Sequence, residues 1–397
     1  SSYSNGAPLI ALGVDSTADM LENVAMIADG TTPIDTEEYS YGYISNVEVR
    51  NSYFNMMYRS WSMFALRNNL WFHHNYITNA GRSALDCAQG HNIVIEYNRF
   101  INTITTGLGT AFKIQPQRWT LDTVTIRGNL IIFRPGQQYG LAIDMPCGNH
   151  VSVYNNTIVT LSSFDFNYCI GMGWIYGSST SGSRMIYPTD NGRASIRNYF
   201  VANNIFYGGL EITEQDSLNM KFWNGTHWYF SENLDSMKRH GVQFKNNIIY
   251  ADNDNPLVMK RIFDKRTIAW YPSVLSNEGT LGCYLWSGGT DVTYPKFVTS
   301  ANFNTAWNGK YGTNDLNVDP FLIDINGTDS SAFRPQLSSP ALNNGIAIPG
   351  YTHDISGSPI PQLGAITIGC FQSPPSTDPQ PSVRRRLILK TPTGNNP

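Results

Sequence analysis

Three short segments carry ionisable residues at matching positions. "ALDC" from Ala84, "AFKI" from Ala111 and "AIDM" from Ala142 align without gaps, and the third residue of each is Asp86, Lys113 or Asp144. If each segment is a strand, Leu85, Phe112 and Ile143 share one inward column and Cys87, Ile114 and Met145 another, so the residue between them points outward. Rungs of a sheet lie about 4.8 Å apart, so the two aspartates would start roughly 9.6 Å apart, close to the carboxyl separation of an inverting glycosidase. The intervening lysine lowers both carboxyl pKa values, which suits an ionised base and leaves the acid in need of another influence. In a lyase the same Lys113 would neutralise a uronate carboxylate and stabilise an enolate-like transition state while a basic group takes the C5 proton. The plainer reading is an alternating charge ladder that offsets like-charge stacking.

Residues suited to holding a sugar chain flank these segments. Arg118 and Trp119 lie on one side, followed by Trp174, Tyr176, Arg184 and Tyr187 in a long insertion, with Arg134 and Tyr139 on the other side. Flat rings stack on sugar faces and arginine binds carboxylates in a bidentate manner, so the grouping suits an acidic or neutral glycan.

Elements that could place three residues in one column must repeat, and the chain does. "NVEVRNSYF", "NLWFHHNYI", "NIVIEYNRF", "TVTIRGNLI", "HVSVYNNTI", "NYFVANNIF" and "GVQFKNNII" share the template apolar-x-apolar-x-x-Asn-x-apolar. The Asn slot falls at Ser52, Asn75, Asn98, Asn129, Asn156, Asn204 and Asn247, in steps of 23, 23, 31, 27, 48 and 43. The last two steps are about twice the basic one, which predicts a degenerate turn hidden in each, and Asp29 continues the series upstream. A period near 23 is too short for helical pairs and fits one coil of a parallel solenoid, with each coil hydrogen-bonded to the next. The Asn is then expected to adopt the left-handed turn conformation and to bond to its neighbour in the next coil.

A second outward column, Arg50, His73, Glu96, Arg127, Tyr154, Ala202 and Lys245, reads as a surface charge ladder worth a few tenths of a kcal/mol per pair. His73 and His74 adjoin, and neighbours on a regular strand face opposite ways, which argues against one shared metal ion.

Composition narrows the partners. Charged residues make up 14% of the 397 residues, aromatics 13%, and the net charge is −3, so binding to nucleic acid by cation density is not expected. The five cysteines, at 87, 147, 169, 283 and 370, show no zinc spacing and read as small buried apolar residues. No apolar run approaches the ~20 residues of a membrane span. The start "SSYSNGAPLIALG" lacks a basic region ahead of an apolar one, which predicts a processed or trimmed N-terminus with an upstream part missing. Sequons stand at Asn155, Asn224 and Asn326, the first adjoining the Asn slot and read as accidental.

From Pro8 to Ala251 the repeat resembles the right-handed parallel β-helix proteins of the pectate-lyase-like superfamily, whose asparagine ladder sits at the turn after the second strand. That superfamily spans lyases, hydrolases, epimerases, phage tailspikes and non-catalytic adhesins. The resemblance implies an all-β fold, a right-handed parallel β-helix with long loop insertions, whose first-strand outer face carries substrate. Further on, "SPALNNG" from Ser339 and "ITIGCFQ" from Ile366 resemble the SPAxDxG and DIGAxE closing elements of secreted and phage β-helix proteins. The acidic positions of those elements are taken here by Asn343 or Asn344, Thr367 and Gln372.

The expected organisation is a β-helix over 1–251, irregular aromatic-rich coils over 252–317, a C-terminal capping segment over 318–372, and a Pro-rich linker and basic tail over 373–397. "SENLDSMKRHG" reads as a short helix with Ser231 as N-cap, Lys238 to His240 in its last turn and Gly241 ending it. Expected partners are a polysaccharide or surface glycan, a larger assembly reached through the tail and its Arg384, Arg385 and Arg386, and sister copies in a homotrimer. No cofactor is expected, with a Ca ion left open. The setting would be extracellular or on a virion. The function expected is glycan binding with cleavage by a glycoside hydrolase or lyase, against the alternative of a non-catalytic adhesin or spacer.

Overall fold

A computed structural model describes residues 19–22, 25–27, 45–55, 68–78, 83–87, 90–102, 108–114, 121–133, 139–145, 148–161, 167–172, 196–215, 238–251, 257–263 and 296–372. Among the described residues, the coils from Ser83 to Tyr250 contribute to each of three parallel sheets. The coil that carries Asp86 shows the order: Ser83–Cys87 lies in sheet one, Gly90–Glu96 in sheet two and Arg99–Asn102 in sheet three. Sheet one stacks Ser83–Cys87, Leu108–Ile114, Tyr139–Met145, Asn167–Met172, Leu210–Gln215 and Val258–Phe263. Sheets two and three stack in the same way from Asp19–Glu22 and Ala25–Ile27 onward.

Alternation fills the interior. Leu85, Ile143 and Met145 from sheet one, Phe72, Ile95 and Val124 from sheet two, and Phe100, Ile131 and Phe133 from sheet three are all buried in one continuous core.

The asparagine column is a hydrogen-bonded ladder. Asn129 Oδ1 accepts from the Asn98 backbone N–H at 2.9 Å and from Asn98 Nδ2 at 3.0 Å, and Asn129 Nδ2 donates to the Ile95 carbonyl. The same contacts join Asn75 to Asn98, Asn129 to Asn156, Asn156 to Asn204 and Asn204 to Asn247. Three expectations need correction here. The steps of 48 and 43 hide no further coil, because Asn156, Asn204 and Asn247 are adjacent rungs and Thr157 pairs with Ile205, which pairs with Ile248. Their extra length lies between strands of single coils. The left-handed residue is the one before the ladder position: His74, Tyr97, Gly128, Asn155, Asn203 and Asn246 have φ between 53° and 61°. Upstream, Glu22 faces Arg50 and Ala25 faces Tyr53, a step of 28 where the repeat suggested 23, and Asp29 itself lies outside the described residues.

The ladder ends on an acid. Asp315 Oδ1 accepts from the Asn247 backbone N–H at 2.8 Å and from Asn247 Nδ2 at 3.0 Å, while Oδ2 accepts from the Trp307 indole at 2.9 Å. A carboxylate accepts on both oxygens, so it can close the column against a donor where another asparagine would present its own N–H. Val298, Phe303 and Trp307 complete the core at this end, and Lys296–Val298 runs antiparallel to Val258–Phe263, which ends the stacking of sheet one.

Residues 318–372, expected as an end cap, run along the flank. Leu322, Phe333, Ala341, Ile355, Ile368 and Phe371 form one cluster with Leu130, Ile132, Val159, Ile205 and Ile248 of sheet three. Both faces of Leu130–Phe133 are therefore buried. The left-handed asparagines bind this segment: Asn155 Nδ2 donates to the Thr367 and Gly369 carbonyls, Asn203 Nδ2 to Ile346 O and Asn246 Nδ2 to Asn344 O. Asn155 is fully buried, in keeping with an accidental sequon. Within the segment Asp354 Oδ1 accepts from Ser356 and Ser358, and Oδ2 from the Gln372 backbone, while the Gln372 amide closes on Thr367.

Of the expected short helix, Lys238 and Arg239 carry helical backbone and Gly241, at φ +85°, donates back to Lys238 O. Ser231 lies outside the described residues. Cys169 and Cys370 are buried free thiols, and burial pushes Cys370 up to about 12.

Asp315 makes stability depend on pH. Burial raises its carboxyl to about 6 from 3.8, against the pull of Asn247 and Trp307. The folded state therefore keeps a proton that the unfolded chain releases near pH 4, so this group's contribution is full below about pH 4 and is lost as pH rises to about 6. The loss is about 3 kcal/mol. Urea midpoints followed across that window should fall in the wild type and stay level in Asp315→Asn. Parallel curves would count against a proton held at Asp315.

Candidate functional site

Strand pairing brings Asp86, Lys113 and Asp144 of sheet one into one column. Lys113 is the register partner of Asp86 on one side and of Asp144 on the other, and Leu85, Ile143 and Met145 beside them are fully buried. The three residues thus occupy consecutive rungs of the sheet, Asp86 and Asp144 each one position away from these inward residues. The side chains of Asp86, Lys113 and Asp144 lie outside the described set. Tyr139 begins the strand Tyr139–Met145 opposite Leu108, its side chain likewise not described. Arg118, Trp119, Arg134, Trp174, Tyr176, Arg184 and Tyr187 lie outside the described residues.

The column extends past the sequence reading. Asp144 pairs with Gly171, Gly171 with Glu211 and Glu211 with Met259. Glu211 is 1% exposed, and Gly171 is buried beside it, so the outer face of sheet one is covered at this end. "LEIT" carried the signal, an acid between two inward apolar residues. The long insertion between coils hid its register.

Sheet two holds a different arrangement from the surface charge ladder expected of it. Glu96 is 3% exposed and His73 5%, both covered. Glu96 Oε1 accepts from the Trp71 indole at 2.7 Å, and Oε2 accepts from Arg127 Nε, forming an ion pair. Arg127 in turn donates from Nη1 to the Tyr154 hydroxyl at 2.9 Å and lies over the rings of Tyr154 and Tyr351. Burial opposes the Arg127 charge, yet Tyr154 and Glu96 outweigh it and hold its pKa above the ordinary arginine value. Burial first, then Glu96, raises Tyr97, while Tyr154 and Tyr351 are raised mainly by burial, so all three hydroxyls stay protonated at neutral pH.

Tyr351, from the flanking segment, is what seals this cluster. Its ring stacks on Tyr97 at 6.0 Å and meets Tyr154 edge-on at 5.5 Å. Gly128 leaves it room, since a Cβ there would stand 2.7 Å from the Tyr351 hydroxyl. No repeat in the sequence pointed to this contact, because Tyr351 follows its partners Tyr97 and Tyr154 by 254 and 197 residues in the chain.

His73 and His74 also depart from expectation. The strand ends at His73, and His74 takes φ +54°, which turns its ring back so that the two Nδ1 atoms are 2.7 Å apart. His73 Nε2 lies 3.0 Å from Glu48 Oε1, within reach to donate to the carboxylate, and its Nδ1 shares one hydrogen bond with His74. Burial and then His73 lower the pKa of His74, against the pull of Glu96. Among the described residues no three His, Cys, Asp or Glu side chains gather as a metal site requires.

Sequence comparison gives the same architecture as the three stacked sheets and the continuous ladder. Residues 3–158 match the family described as "Right handed beta helix region". The fold is a right-handed parallel β-helix. Its hand agrees with the rule for crossovers between parallel strands. No curated protein and no solved structure matches the chain. No helix among the described residues is long and apolar enough to cross a membrane.

The Glu96–Arg127 pair is placed where loss of one partner strands the other. Glu96→Ala would leave Arg127 without its carboxylate and free the Trp71 indole, and should cost about 3–5 kcal/mol in urea unfolding. A cost below about 1 kcal/mol, the range of an exposed pair, would restore the surface-ladder reading.

Proposed function

We propose that this β-helix binds an extracellular polysaccharide along the outer face of sheet one and cleaves it with Asp86, Lys113 and Asp144. One observation supports the reading: in the strand register Lys113 pairs with Asp86 on one side and Asp144 on the other, so the three share consecutive rungs. In a hydrolytic route one aspartate protonates the glycosidic oxygen while the other activates water across a gap of roughly two rungs. In an eliminative route Lys113 offsets the uronate carboxylate, a base removes the C5 proton, the bond from C4 to the leaving oxygen breaks and a C4–C5 double bond forms. Arg118, Trp119, Arg134, Tyr139, Trp174 and Tyr176 would hold the chain on either side. Proposed with this are an extracellular or virion-surface location and attachment to a larger assembly through the basic tail.

A second reading, a non-catalytic surface spacer or adhesin, draws on Gly171 and Glu211, buried further along the same face. A panel of neutral and uronate polysaccharides, read by new reducing ends and by absorbance of unsaturated products, separates the two. Wild type should cleave at least one glycan, and Lys113→Ala should slow that cleavage at least about a hundredfold. Binding without cleavage anywhere in the panel would favour the adhesin. Unsaturated ends would identify the lyase route, and saturated ends the hydrolase.

A further inference from the structure

Trp71 stands on the outer face of sheet two and is 44% exposed. The other large exposed apolar side chains among the described residues, Val318, Phe321, Ile323, Leu337 and Leu363, all belong to the flanking segment. An exposed indole gains little from folding, yet this one is held from two directions. Its N–H is bonded to Glu96, and its ring stacks on His73 with centroids 4.0 Å apart and planes 19° from parallel. The holding groups are themselves fixed: Glu96 by Arg127 and His73 by Glu48. Burying a carboxylate is expensive, so a network that ends on a solvent-facing ring is better accounted for by what the ring meets than by what it covers.

We infer that Trp71 is a preformed stacking platform for one pyranose ring of a glycan, on sheet two and separate from the sheet-one column. An immobilised flat ring takes the apolar face of a sugar with little further loss of conformational freedom. The neighbouring rung suits the sugar's hydroxyls. Glu48 is the register partner of Trp71, is partly exposed, and takes both Arg50 Nη1 at 3.2 Å and His73 through the same oxygen, Oε1. A carboxylate beside a guanidinium offers an acceptor and donors at the edge of the indole, the pairing that a vicinal diol needs. Glu96 is a positioning residue in this site, since it reaches the ligand only through the indole.

The inference rests on the glycan reading above and fails separately from it. The protein labelled with 5-fluorotryptophan gives a fluorine resonance for Trp71, assigned by its loss in Trp71→Phe, and short neutral and uronate oligosaccharides are titrated against it. The Trp71 signal should shift on saturation, and Trp71→Ala should bind on the order of tenfold more weakly by calorimetry, with Trp71→Phe between the two. Glu96→Gln should broaden or move the Trp71 signal before any sugar is added. Lys113→Ala should still shift the Trp71 resonance. If an oligosaccharide binds while the Trp71 signal stays still and Trp71→Ala binds equally well, the platform is overturned and the sheet-one reading stands. If no oligosaccharide binds the wild type, both fall.

Discussion

One hydrogen bond, repeated, sets the geometry of this molecule. Each ladder amide presents its oxygen to the backbone N–H and side-chain N–H of the rung before and its own N–H to a carbonyl of that coil. Such a contact is buried and two-sided, so a rung that slipped by one residue would strand several donors and acceptors at once. Register along the whole stack is thereby fixed at one corner, and every other column inherits it. The insertion behind the 48-residue step leaves no trace in the ladder, because Asn156 and Asn204 bond as closely as rungs 23 residues apart. A solenoid of this kind can grow long loops without moving its outward columns.

That fixed grid explains which features were legible in the sequence. The ladder positions, the alternation of strands and the alignment of Asp86, Lys113 and Asp144 are properties of one repeat seen several times, and periodicity exposes them. Asp315 closes the ladder where "TNDLNV" has lost the template around it, and only its double acceptor role identifies it. Arg127, the partner of Glu96, lies against Tyr351 far along the chain, and no local pattern carries that. The reading that adjacent histidines point apart assumed a regular strand, and the left-handed turn at His74 removes the premise.

The flanking segment follows from the same corner. Left-handed residues next to the ladder leave side chains directed away from the core, and at Asn155, Asn203 and Asn246 those side chains become donors for the carbonyls of residues 344–369. Sheet three alone could not leave Leu130, Ile132 and Ile248 facing water, and the segment that covers them is positioned by hydrogen bonds that the turns supply. Its arrival places Tyr351 over Gly128 and closes the polar cluster of sheet two.

The two outer faces therefore differ in what they can do. On sheet two, Glu96 has both oxygens engaged, Arg127 is held by Glu96 and Tyr154, and the tyrosines keep their protons. A group whose lone pairs are committed to fixed partners is a poor general base, because taking a proton would break the contacts that hold it. What such a network does well is hold a neighbour still, and the neighbour it holds is Trp71. On sheet one the carboxyl rungs are separated by a lysine and then by a glycine, an order that keeps like charges two rungs apart. Charge spent within a cluster is closed to a substrate, and for that reason catalysis is proposed on the sheet-one column.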